Sequence, residues 1–119
     1  MSAAAPRILI VEDEPMLAYA LEECLLEAGF AVAGVASRLA AALAVIESGA
    51  LDAAILDTNL AGTSASPVAL ALAARGLPFI VLSGYLPSQQ PEGFSGGQHL
   101  QKPCRPDRLI AALHDLLAG

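Results

Sequence analysis

Acids supply most of the chemistry this sequence can offer. Glu12-Asp13-Glu14 follow directly on the apolar run Ile8–Val11, and Asp57 follows directly on the run Ala53–Leu56. Ser83 closes a further run, Phe79–Leu82, and Lys102 follows Gln98–Gln101. Carboxylates with no histidine or thiolate beside them suit a hard cation such as magnesium, which takes a few carboxylates and keeps several waters. Packed close, such carboxylates repel, and one is driven toward its neutral form; a divalent cation removes that cost. A carboxylate flanked by a cation and an ammonium can then accept a phosphoryl group. Its oxygen attacks phosphorus, and the positive groups stabilise charge on the transferring oxygens. Asp57 has the residue type to attack, Lys102 to neutralise, and Ser83 to donate a hydrogen bond to a phosphate oxygen.

These residues lie tens of positions apart, so the fold must gather them. Five short runs, Ile8–Val11, Ala31–Val35, Ala53–Leu56, Phe79–Leu82 and Gln98–Gln101, read as strands. The first four are continuously apolar, as strands covered on both faces are. The fifth is more polar and belongs nearer an edge. Helical patterns separate them. Pro15 to Ala28 carries an apolar face and ends at Gly29, and Ser37 can cap a second helix running to about Ser48 before Gly49. Ser66 to Arg75 reads as a third helix stopped by Gly76, and the last opens at Pro106 or Asp107. From Tyr85 to Gly97, prolines and glycines replace the pattern, so a loop or a single turn stands where a full helix would fall. Strand and helix in regular order predict an α/β fold, a doubly wound five-stranded parallel sheet. In such sheets all carboxyl ends share one rim, where ligands bind. With strand order 2-1-3-4-5, the first and third strands are neighbours, and Asp13 and Asp57 face each other across about 5 Å.

Composition bounds the rest. At 119 residues the chain fits one domain, 1–119, with a core from about 7 to 117. Its net charge of −6 argues against nucleic acid as a partner, since phosphate backbones attract basic surfaces. The short N-terminus lacks the basic stretch and long apolar run of a signal peptide, and no run is long enough for a membrane span. Cys24 and Cys104 fit no zinc pattern and read as free thiols of a reducing cytoplasm, with a disulfide between them the lesser alternative.

From Arg7 to Leu117 the chain resembles the response-regulator receiver domains of two-component systems. The resemblance rests on Ile8-Leu9-Ile10-Val11-Glu12-Asp13-Glu14, Ile55-Leu56-Asp57-Thr58-Asn59-Leu60, Val81-Leu82-Ser83-Gly84-Tyr85 and Leu100-Gln101-Lys102-Pro103, in that order and spacing. It implies a flavodoxin-like fold and a magnesium-dependent switch phosphorylated on Asp57. Asp13, Asp57 and the backbone carbonyl of Asn59 would be the metal ligands, with Glu12 acting through water. Ser83 would be the switch hydroxyl and Lys102 the family's lysine, followed by a cis peptide at Pro103. The phosphoryl donor would be a sensor histidine kinase or a histidine phosphotransfer protein. A downstream protein would carry the output, in the cytoplasm, and a phosphorylation-linked dimer is left open.

Two departures stand out. His99 occupies the position where many receivers carry a switching Tyr or Phe. It is either an altered, pH-sensitive switch or an edge-strand histidine with no special role. Pro78-Phe79 with Ser83-Gly84-Tyr85 and the Pro/Gly-rich loop resembles a subgroup of often stand-alone receivers with a Pro-Phe…Thr-Gly-Tyr signature. Tyr85 would fill part of the role open at His99, or only cover the loop. The alternative to a phosphoacceptor is a phosphorylation-independent interaction module with a relic pocket. An aspartate-nucleophile phosphatase would need a second acid where Asn59 stands, so the chain reads as a switch rather than an enzyme.

Overall fold

The computed structural model describes residues 5–60, 62–84, 96–102 and 104–118. All five expected runs become strands: β1 (Arg7–Val11), β2 (Ala31–Ala36), β3 (Ala53–Asp57), β6 (Phe79–Ser83) and β7 (Gln98–Gln101). Between β3 and β6 a small antiparallel hairpin intervenes, formed by β4 (Asn59–Leu60) and β5 (Thr63–Ser64). The helices among the described residues are α1 (Pro15–Glu27), α2 (Leu39–Ser48), α3 (Ser66–Ala74) and α4 (Pro106–Ala118). The main sheet runs β2-β1-β3-β6-β7, with every neighbouring pair parallel. With the hairpin set aside, this is the 2-1-3-4-5 order that the sequence predicts. The loop expected in place of a helix from Tyr85 onward lies almost wholly outside the described residues.

The strands read as continuously apolar because each face meets helices. Leu9, Val11, Ala54, Leu56, Phe79 and Val81 pack with Ala42 and Ile46 of α2 and Val68 and Leu72 of α3. The alternate residues Ile8, Ile10, Ala53, Ile55, Ile80 and Leu82 pack with Leu21 and Leu25 of α1 and Leu109 and Leu113 of α4. Each large apolar side chain buried in this way contributes about 1.5–3 kcal/mol. The two layers clamp the sheet and fix the position of its carboxyl rim.

Helix ends follow the expected punctuation, with one correction. Pro15 opens α1, and Gly49 ends α2 in the left-handed region, at φ 74°, its N–H donating to the Ile46 carbonyl. Ser37, however, does not cap α2. The cap position belongs to Arg38, in extended backbone, and no side chain caps the helix. The helix starts one residue later than a Ser37 cap requires, which lets Leu39 and Leu43 pack against the core beside the buried Ala42 and Ile46. Burying that stripe outweighs a cap worth about 1 kcal/mol.

Candidate functional site

Strand register brings the polar strand ends together. Val11 pairs with Leu56, so Glu12 comes level with Asp57. Asp57 pairs with Leu82, which sets Ser83 one residue beyond, and Ser83 pairs with Gln101, just before Lys102. Backbone bonds extend the ladder past the strands: the Glu12 N–H donates to the Ala36 carbonyl (3.0 Å), and the Lys102 N–H to the Ser83 carbonyl (2.8 Å). Strand alternation then does the selecting. Ile10, Ile55 and Leu100 all face the α1/α4 layer, and Glu12, Asp57 and Lys102 each stand two residues further on.

The side chains meet accordingly. Lys102 Nζ lies 3.3 Å from Asp57 Oδ2 and 3.5 Å from Glu12 Oε1. The second Glu12 oxygen, Oε2, accepts the Glu14 N–H at 3.2 Å. One carboxylate oxygen each from Glu12, Asp13 and Asp57 lies within 4.8 Å of the others. Glu12 is only 3% exposed and Ser83 is buried, while Asp13, Asp57 and Lys102 are half-buried and reachable from solvent. Burial pushes the Glu12 carboxyl above the ordinary carboxylate range. The negative charge of Asp57 and a hydrogen bond with Asp13 add to that, against the pull of the Glu14 N–H and the Lys102 ammonium. Three carboxylates against one ammonium leave an excess of negative charge, and every side-chain donor in the cluster is oxygen. This set fits a hard divalent cation.

The other expected site residues lie as follows. Asn59 opens β4, its backbone paired with Ser64, and Ala65 N–H donates to the carbonyl of the buried Thr58 at 3.0 Å. The turn after Asp57 is thereby fixed. His99 does not join the acidic cluster. On β7 it pairs with Val81 of β6, is half-buried, and lines a separate concavity of about 500 Å³ with Gln101, Lys102, Cys104, Arg105 and Arg108. Tyr85 and Pro103 lie outside the described residues. Glu14, the third acid of the run, takes the cap position of α1, with its carbonyl accepting the Ala18 N–H. Both cysteines are free, and burial pushes both thiols up.

Sequence reading missed one part of the rim. A cavity of about 490 Å³ opens beside the acids, lined by Asp13, Ser37, Arg38, Leu39, Leu60 and Thr63. The signal was present, because Ser37 and Arg38 directly follow β2 and therefore sit at the same carboxyl edge as the other strand ends. Assigning Ser37 to helix capping concealed it.

A parallel sheet in this order, with acids and a lysine on its carboxyl rim, defines a receiver of two-component signalling, a switch rather than a metabolic enzyme. The chain belongs to the response regulator receiver domain family, whose profile matches residues 8–114. It is 34% identical over 115 residues to the transcriptional regulatory protein TcrA of Mycobacterium tuberculosis, covering 92% of this chain and 45% of TcrA. The chain thus spans about half the length of the curated relatives it matches. Among solved structures it is similar to SdrG from Sphingomonas melonis Fr1, at 43% identity and a TM-score of 0.82, over 98% of this chain and 99% of that one. It is also similar to SdrG in a BeF3-activated conformation, recorded from Pseudomonas melonis Fr1, at 45% identity and a TM-score of 0.78 over the same shares. Among the described residues, no helix is long and apolar enough to cross a membrane.

Proposed function

We propose that this chain is a phosphoacceptor receiver, taking a phosphoryl group from a histidine kinase or a histidine phosphotransfer protein onto Asp57. The observation that carries this reading is the Asp57 carboxylate, half-buried, 3.3 Å from the Lys102 ammonium and within 4.8 Å of the Glu12 and Asp13 oxygens. An Asp57 oxygen attacks the phosphorus of the donor phosphohistidine. The P–N bond breaks, its electron pair leaves with the imidazole, and an acyl phosphate forms. Lys102 is near enough to neutralise charge on the phosphoryl oxygens, and Ser83, one residue past the level of Asp57, supplies the sensing hydroxyl. Asp13, Asp57 and the Asn59 carbonyl would hold magnesium, with Glu12 acting through water. Bound there, magnesium would offset the excess negative charge and stabilise the transferring oxygens. Hydrolysis reverses the modification, with water attacking phosphorus to release inorganic phosphate and restore the carboxylate.

Output passes by protein–protein contact from the neighbourhood of β6 and β7, where Tyr85, His99 and Pro103 are the candidate switch positions. The likeness to SdrG, one of whose structures is described as BeF3-activated, supports a phosphorylation-responsive receiver, and the chain's own Pro78-Phe79 and Ser83-Gly84-Tyr85 support the subgroup with the Pro-Phe and Ser/Thr-Gly-Tyr signature. A cytoplasmic site of action follows from such donors. A phosphorylation-independent module would have no use for an acid cluster with its lysine in contact.

Incubation with acetyl phosphate and magnesium tests the reading by intact-protein mass spectrometry. Wild-type protein should gain the mass of one phosphoryl group and Asp57→Ala none. Equal gain in both, or none in wild type, would overturn it.

A further inference from the structure

We propose that Arg38 is a second cationic element of this site, a rim guanidinium that receives the phosphoryl group of an anionic donor before transfer to Asp57. The inference rests on the receiver reading and deepens it by assigning a donor-binding residue.

Three observations converge. The cavity of about 490 Å³ beside the acids is shared between Asp13, a member of the acidic cluster, and Arg38, with the hydroxyl residues Ser37 and Thr63 on its walls. Arg38 is exposed, and its guanidinium forms no ion pair or hydrogen bond among the described residues; the ion pairs found there belong to Lys102 and Arg105. Its backbone is held at the cap of α2 with the Arg38 carbonyl accepting the Ala42 N–H, so the side chain is anchored at the cavity without being spent on capping.

Electrostatics gives this placement a purpose. A phosphoryl donor is itself an anion, and it must approach three clustered carboxylates in a protein of net charge −6. Lys102 is already committed to Asp57 and Glu12. A guanidinium with no partner on the opposite flank offers the incoming phosphoryl oxygens a planar fork of donors, a geometry that matches phosphate better than an ammonium does. Because the recognised group is the phosphoryl group itself, the same residue serves acyl phosphates and phosphohistidine.

The test is the rate of phosphorylation by acetyl phosphate at saturating magnesium, measured against donor concentration. Arg38→Ala should raise the apparent KM by about five- to tenfold, the loss expected for one exposed contact to a charged group, with little change in the limiting rate. Arg38→Glu should raise it further, and Arg38→Lys should recover part of the loss. The difference between wild type and Arg38→Ala should shrink as salt screens the exposed charge, and magnesium affinity, read by titration, should not weaken. A donor KM unchanged in both Arg38→Ala and Arg38→Glu overturns the inference, as does a loss that lysine does not rescue and salt does not reduce. If wild-type protein takes up no phosphate at all, the receiver reading itself fails, an outcome distinct from either.

Discussion

Glu12 is a carboxyl held under opposing electrostatic pulls. It is nearly sealed from water, one of its oxygens faces the Lys102 ammonium, the other accepts a backbone N–H, and the Asp57 charge stands beside it. Burial raises its proton affinity, so the folded, metal-free protein holds the charged form at a cost. A carboxyl raised on folding subtracts stability above its folded pKa, and the cost is relieved as pH falls through that value. Glu12→Gln keeps the shape and an oxygen for the Glu14 N–H while discarding the charge. Without metal it should melt a few degrees above wild type at neutral pH, and magnesium should then add less stability than it adds to wild type. Thermal melts with and without magnesium check this; a lower metal-free melting point in the variant would contradict it. The Arg105–Asp107 pair at 3.0 Å is exposed on both sides and is worth little by comparison.

At the scale of the elements, the rim was legible because strand order and alternation are properties of sequence. Four continuous apolar runs gave four strands, Glu12, Asp57 and Ser83 sit at the ends of three of them, and Lys102 follows the more polar fifth. What was not legible had physical reasons. The β4–β5 hairpin has two residues per strand, too few for any period to show. The Asp52 carboxylate accepts the Arg7 N–H at 2.7 Å across a sequence separation of 45, and His114 sets its ring 5.3 Å from that of Phe30. Such pairings follow from tertiary placement and leave no local pattern. Gly97 is a further case. It looked like part of a loose Pro/Gly stretch, yet it lies against the fully buried Phe79 at the entry to β7. A Cβ there would overlap the Phe79 ring and stand 3.1 Å from its carbonyl oxygen. Gly97→Ala should therefore destabilise the protein by about 1–3 kcal/mol, the usual cost of overpacking. Chemical denaturation measures this, and a variant as stable as wild type would mean the close approach is relieved at no cost.

For the molecule as a whole, the acidic balance and the site are linked. A net charge of −6 and a cluster of three carboxylates both oppose compaction without a cation. A ligand that binds only the folded state adds stability by mass action, about 2.7 kcal/mol at a hundredfold excess over its dissociation constant. Magnesium should raise the melting temperature of the wild-type protein, a chelator should reverse the rise, and Asp13→Asn should abolish most of it. A melting temperature indifferent to magnesium would mean that the acids hold no such cation.

Locating the phosphoryl group decides whether Asp57 is the acceptor. An acyl phosphate formed with acetyl phosphate and magnesium can be trapped with borohydride, which reduces the modified aspartate to homoserine, and the digested protein then read by peptide mass spectrometry. Homoserine is expected at position 57 alone, dependent on magnesium. A mark at Glu12 or Asp13, or none on wild-type protein, would contradict it.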